Sequence, residues 1–384
     1  MNTKTKAIKN AQIVLENGII WDGIILIEGN KIISYGDNRS VAVPEGAEII
    51  DAEGAYVGPG FVDIHVHFGG SFSTATDPIE AAKECLKHGA TSILATPSYN
   101  MNFEKLMEAI KIIKESMPYA KTIKGIYSEG PYINPIFGAY SYKNPWRHPI
   151  DEKEYKAFVD EAGSLVKVWT IAPEREGILE FLKYARSINP DVIFSIGHSM
   201  ATPAEIRALG KYKPKILTHA MNATGRIDVP KGTRGYGPDE YCFTEADMYA
   251  ELISDSRGIH VNPELQNLLI HNKGVDKVIL ITDCTYYENP SPENLSHITD
   301  LNFDENGDLA GSKLTMDKAC KNVMASTGCG IAQAFKMAST NPARAIGIDD
   351  ELGSIECGKV ADLVFTDDKF NVKKVLLGGN ICKF

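Results

Sequence analysis

Two histidines one residue apart, His65 and His67, end an apolar run, VGPGFVDIHVH, that a Gly58-Pro59-Gly60 turn launches. On a strand alternate side chains share a face, so the two imidazoles are expected to point the same way, with Asp63 below them. Such a pair at the end of a buried strand can grip one metal ion. Ordinary strand-end histidines have the same spacing, so the rest of the chain decides. Polar groups recur at the ends of other apolar segments: Thr96, Glu129 in SEGPY, Glu174 in TIAPE, His198 in GHS, His219 in THAMN, His260 in GIHV and Asp283 in LITD. Of the nine histidines, only His88, His148, His271 and His297 fall outside this series, in helices or loops. Buried imidazoles and carboxylates are costly unless paired or metal-bound. Histidines and carboxylates converging on one place form a donor set for one or two divalent ions. The chemistry such a site supports is hydrolysis. A divalent ion lowers the pKa of its water to roughly 7. A carboxylate such as Asp283 can take the proton and return it to the leaving group. The metal, with a donor such as His260, can stabilise the oxyanion. No Ser-His-Asp or Cys-His arrangement competes, and Cys284, next to Asp283, is expected in the core.

These groups need a scaffold that brings distant segments together. FVDIHVH, TSILATP, TIKGIYSEG, LVKVWTIAPE, DVIFSIGHS, KILTHAMN, RGIHVN and KVILITD read as buried strands. Between them lie helical patterns such as DPIEAAKECLKHG, NFEKLMEAIKIIKESM, EGILEFLKYARS, EADMYAELISDS and PELQNLLIHNKG. Strand-helix alternation implies a parallel sheet with crossover helices. Eight such units across residues 57–345 predict a (β/α)8 barrel, whose chemistry sits at the C-terminal strand ends. An open doubly wound sheet is the alternative, but no G-x-G-x-x-G follows the first strand. Residues 1–56 and 346–384 are instead strands and turns, which predicts one small β domain built from both termini.

Composition narrows the class. Apolar residues make up 43% and charged residues 23% of 384, ordinary for a globular chain. The net charge of −10 and the lack of a basic run exclude a nucleic-acid surface, and an anionic substrate would need a local cationic pocket. Seven scattered cysteines without a C-x-x-C pair fit a reducing cytoplasm. Neither an export signal nor an apolar stretch approaching the ~18–20 residues of a membrane span is expected.

The motifs PGFVDIHVH (59–67), SEGPYI (128–133), TIAPE (170–174), GHSMAT (197–202), THAMNA (218–223), GIHV (258–261), LITD (280–283), LAGSKLTMDKA (309–319), NPARAIG (341–347) and GSIECGKVADLV (353–364) together resemble the amidohydrolase superfamily. Within it the chain is similar to the N-acetylglucosamine-6-phosphate deacetylases, nearly end to end. The resemblance implies a distorted (β/α)8 TIM barrel with a small β-sandwich domain from both termini. It implies removal of acetate from an N-acetylated amino sugar phosphate. Other N-acyl amino sugars, an N-acyl amino acid or a cyclic amide are the alternatives. Carried over by motif, Glu129, His198 and His219 would hold a tightly bound divalent metal, zinc first, with iron or manganese as alternatives. His65 and His67 would hold a second ion, and Asp283 would be the general acid/base. Asn222, Ala223 and His260 would contact the sugar phosphate, and the protein would be a homodimer. Three departures bear on the substrate. Tyr140 stands where the family has histidine, Thr224 where it has methionine, and GRIDVPKGTRGYG (225–237) replaces a basic stretch. Arg226 or Arg234 would then stand in as the phosphate ligand.

Overall fold

The structure, a computed structural model, describes residues 4–225, 230 and 235–384. Its centre is an eight-stranded sheet in which each strand lies beside its neighbour in the chain: Phe61–Val66, Ala90–Ala95, Ile123–Ser128, Val166–Ile171, Ile193–Ile196, Ile216–Leu217, Tyr249–Leu252 and Val278–Leu280. All the pairings are parallel. Strands covered on both faces are buried along their length, as in Phe61–Val66, buried at every residue. Val62, Ile64, Leu94, Tyr127, Val168, Ile193, Ile216 and Ile279 fill the interior. Phe61, Val66, Ile93 and Ile126 belong to the larger cluster under the helices. The ring closes at its mouth, where the Asp283 amide donates to the His65 carbonyl at 2.9 Å and the Phe68 amide to Cys284 at 2.9 Å. The expected barrel is therefore observed.

The termini also meet. Lys6–Leu15 pairs with Gly18–Glu28 and Glu48–Asp51, and Tyr56–Pro59 bridges it to Leu363–Thr366, which pairs with Val372–Leu377. One small sheet thus runs through both ends of the chain and reaches Pro59, and the barrel begins at Phe61. No helix among the described residues is long and apolar enough to cross a membrane.

Two local expectations are corrected. RGIHVN is not a strand: residues 257–262 form a loop held by the Asp255 carboxylate, which accepts from the Arg257, Ile259 and His260 amides. The seventh strand is Tyr249–Leu252, inside the segment read as a helix. Nor does Asp63 lie under the histidines. A register shift between Asp63 and Val66 breaks the alternation. Asp63 instead lines a separate 80 Å³ cavity with Cys85 and Cys284 and accepts from the Thr282 hydroxyl.

Candidate metal centre and active site

The mouth of the barrel gathers the expected groups. Glu129, just past Ile123–Ser128, is the hub: its Oε1 lies 2.7 Å from His198 Nε2 and 3.1 Å from His219 Nε2. Those two ring nitrogens are 3.0 Å apart. From the first strand, His67 Nε2 reaches the other oxygen, Oε2, at 3.2 Å, and His65 Nε2 lies 3.6 Å from Oε1. Asp283 Oδ1 is 3.3 Å from His67 Nε2 and 3.7 Å from His65 Nε2. Two trios share Glu129: His65 with His67, and His198 with His219.

The backbone is bent to deliver these groups. His198, His219 and Asp283 have φ of 46°, 27° and 46°, and Met221 and Ala223 are also left-handed at 67° and 50°. Side chains rarely adopt this region, and such residues cluster where geometry is functional. Gly138 closes the wall: a Cβ there would sit 2.7 Å from the His198 ring.

The hydrogen bonds select which nitrogen faces the centre. His67 Nδ1 lies 3.0 Å from the Thr96 carbonyl, which can only accept, so Nδ1 carries a proton and Nε2 is the nitrogen that faces the centre. His65 Nε2 is fully buried and has no hydrogen-bond partner. Four imidazole nitrogens converging on one carboxylate, one of them orphaned, are the donor chemistry of a divalent ion, and the residues fit one. A metal-ligating histidine usually donates its remote N–H to an orienting group, as His67 does here.

Electrostatics follow from this crowding. Burial favours a neutral His67, but bonds to Asp283 and Glu129 outweigh it and push the ring up to about 10. Burial likewise opposes Glu129 bonding on His219, yet that ring is raised to about 9. Burial also works against the Glu129 carboxylate, but the surrounding rings hold it well below the usual range. Without metal, the cluster therefore keeps protons that an ion must displace. Affinity should rise with pH, up to tenfold per unit for each displaced proton, until the His67 value of about 10 is passed. Titration calorimetry at pH 7 in buffers of different ionisation enthalpy should show at least one proton released per protein; zero release would contradict this account.

Above the cluster opens a pocket of about 380 Å³ lined by His67, Tyr99, Asn222, His260, Asp283 and Tyr287, among others. Ala223 also lines it. Asp255 holds His260 by its Nδ1 at 3.1 Å, while Nε2 sits 3.1 Å from the Gly311 carbonyl. Burial opposes the Asp255 carboxylate, but the His260 ring and the loop amides win and hold it at about 2. Tyr140 does not line the pocket. Its ring packs edge-on against Tyr287 at 5.3 Å, and its hydroxyl accepts from Asn289 at 2.7 Å. Arg226 and Arg234 lie outside the described residues. Among the described residues no lysine or arginine lines the pocket. Glu174 is a brace: it accepts from the Asn134 amide, the Ser199 hydroxyl and the Met200 amide, fixing the turn after His198. Sequence reasoning missed Tyr99, Tyr287, Asp255 and Glu251. Tyr99 packs on the His198 ring at 4.8 Å.

Known proteins resemble this chain in sequence and fold. The N-acetylglucosamine-6-phosphate deacetylase of Bacillus subtilis (strain 168) is 30% identical over 396 residues, covering 97% of this chain and 96% of that one. The N-acetylgalactosamine-6-phosphate deacetylase of Escherichia coli O157:H7 is 28% identical, covering 89% and 91%. The crystal structure of N-acetylglucosamine-6-phosphate deacetylase from Pasteurella multocida superposes with a TM-score of 0.85 at 26% identity, covering 98% and 99%. The model of the amidohydrolase family matches residues 56–382, the whole barrel and the returning strands. With that match over most of its length, the chain belongs to the amidohydrolase family.

Proposed function

We propose that this protein is a metal-dependent deacetylase that removes acetate from an N-acetyl-hexosamine 6-phosphate, N-acetylglucosamine 6-phosphate first. The observation that carries the reading is Asp283 Oδ1 standing 3.3 Å from His67 Nε2, at the edge of the Glu129 cluster and in the pocket wall. The names of the relatives support the substrate class.

Glu129, His198 and His219 would hold one divalent ion, and His65 and His67, with Glu129 between the two trios, a second. Such an ion supplies Lewis acidity: it polarises the acyl carbonyl and makes water a nucleophile near neutral pH. Asp283 takes the proton released by the attacking water and returns it to the sugar nitrogen, so that the amine leaves neutral and the amide C–N bond breaks. His260, fixed by Asp255, faces the pocket and is placed to steady the substrate's polar groups. Asn222 and Ala223, on the left-handed turn after His219, contact the sugar. Arg226 or Arg234 would supply the phosphate ligand, and Tyr140 acts through Tyr287. The all-unpaired cysteines support a reducing cytoplasm, and the resemblance supports zinc and a homodimer.

The test is acetate release from N-acetylglucosamine 6-phosphate, N-acetylgalactosamine 6-phosphate and unphosphorylated N-acetylglucosamine, with and without a chelator. The expected result is turnover of the glucosamine phosphate on the order of 10 per second. Chelation should cut the rate more than about 100-fold, and added zinc, manganese or iron(II) should restore it. No release from any of the three by fully metal-loaded protein would refute the substrate.

A further inference from the structure

Glu251 lies on the seventh barrel strand, Tyr249–Leu252, and is fully buried below the metal cluster. Its Oε2 accepts from the His219 backbone amide at 3.1 Å. The same oxygen faces His65 Nδ1 at 3.1 Å. An oxygen already accepting from an amide is an acceptor for the ring as well, so Nδ1 of His65 carries the proton. The Nε2 lone pair is then turned toward Glu129 and Asp283, where that atom has no hydrogen-bond partner. Tyr127 stacks on the same ring at 4.4 Å and 23°, with its hydroxyl tied to Thr218 at 2.9 Å, so the imidazole cannot rotate away.

Among the described residues the other trio has no such support. His198 Nδ1 and His219 Nδ1 are buried without a hydrogen-bond partner. A single oxygen therefore sets the tautomer of His65 and, through the His219 amide, ties the two halves of the cluster together. A buried carboxylate needs opposite charge nearby. Oε2 meets the His65 ring and the His219 amide, and Oε1 has no hydrogen-bond partner. Positive charge next to His65 would offset it.

We propose that Glu251 is the positioning residue for a second divalent ion, held by His65 and His67 beside the ion of Glu129, His198 and His219. This rests on reading the cluster as a divalent metal site. Orienting partners of metal-bound histidines typically govern affinity by 10- to 100-fold.

The test is titration of the metal-stripped protein with zinc against a chelating dye, and with cobalt followed by its visible absorption. The wild type should take up two equivalents. In E251L the second equivalent should weaken about 10- to 100-fold, while the first stays within about threefold. E251Q keeps an acceptor oxygen without the charge and should fall between. Should E251L not fold, E251Q decides: selective weakening of the second equivalent supports the role. Unchanged affinities, or equal weakening of both equivalents, overturn it, as does a wild type that binds a single equivalent. A purely structural glutamate would lower the melting temperature of the metal-free protein without separating the two equivalents, which also overturns it. A protein that binds two equivalents as described but releases no acetate refutes the substrate reading and leaves this one standing.

Discussion

Replacing Asp283 with asparagine should leave a folded, metal-loaded protein whose kcat is lower by about 10³-fold, with KM changed by less than about threefold. The backbone at this position is fixed from both sides. The amide donates to the His65 carbonyl and the carbonyl accepts from the Ser312 amide at 2.8 Å. The residue is left-handed at φ 46°, a conformation that asparagine tolerates nearly as well as aspartate. Shape and backbone are thus preserved, and what is lost is the ability to accept a proton. Burial works against the Asp283 carboxylate, but the bond from His67 holds it below its ordinary value, so it is ionised and ready at neutral pH. Steady-state kinetics with metal analysis of the same samples would check this. A D283N protein with kcat within tenfold of wild type would remove Asp283 from the chemistry.

Replacing Glu129 with glutamine should have a larger effect, because one carboxylate serves four imidazoles. Its Oε1 faces His198 and His219, and Oε2 faces His67. Glutamine is isosteric but loses the charge and points N–H donors at ring nitrogens that need an acceptor or an ion. Loss of an orienting partner costs 10- to 100-fold in affinity, and loss of the shared ligand itself should exceed about 100-fold. Activity should fall by at least about 10⁴-fold. Stability gives an independent reading. At a thousandfold excess over Kd, bound metal stabilises the native state by about 4 kcal/mol. The wild type should therefore melt several degrees higher with added zinc, and E129Q should not respond.

The sequence revealed most of the barrel because seven of its strands are apolar runs bounded by turns. TIKGIYSEG and KVILITD show the pattern well, each ending in a carboxylate that reaches the mouth. The seventh strand was hidden for a physical reason. Methionine, alanine, glutamate and leucine in EADMYAELISDS are good helix formers, and the strand is four residues long. Pairing with Ile216–Leu217 and Val278–Leu280 overrode that preference. Glu251 was lost with it, since an acid in a helix-like stretch looks solvent-facing. His260 stands on a loop rather than a strand: the loop follows the seventh strand's C-terminal end, so the ring still lines the pocket. Asp63 was misplaced because a register shift leaves no trace in a run of apolar residues. The Tyr140–Tyr287 contact joins segments 147 positions apart, and no local pattern could announce it.

The account turns on a divalent ion gathered by Glu129 and the histidines. The most direct measurement is metal content by mass spectrometry on wild type and E129Q, purified identically and assayed for acetate release before and after exhaustive chelation. At least one tightly held equivalent in the wild type, almost none in E129Q, and activity that disappears and returns with the metal is the predicted result. Wild-type protein that still releases acetate at its full rate after the metal has been removed would contradict it.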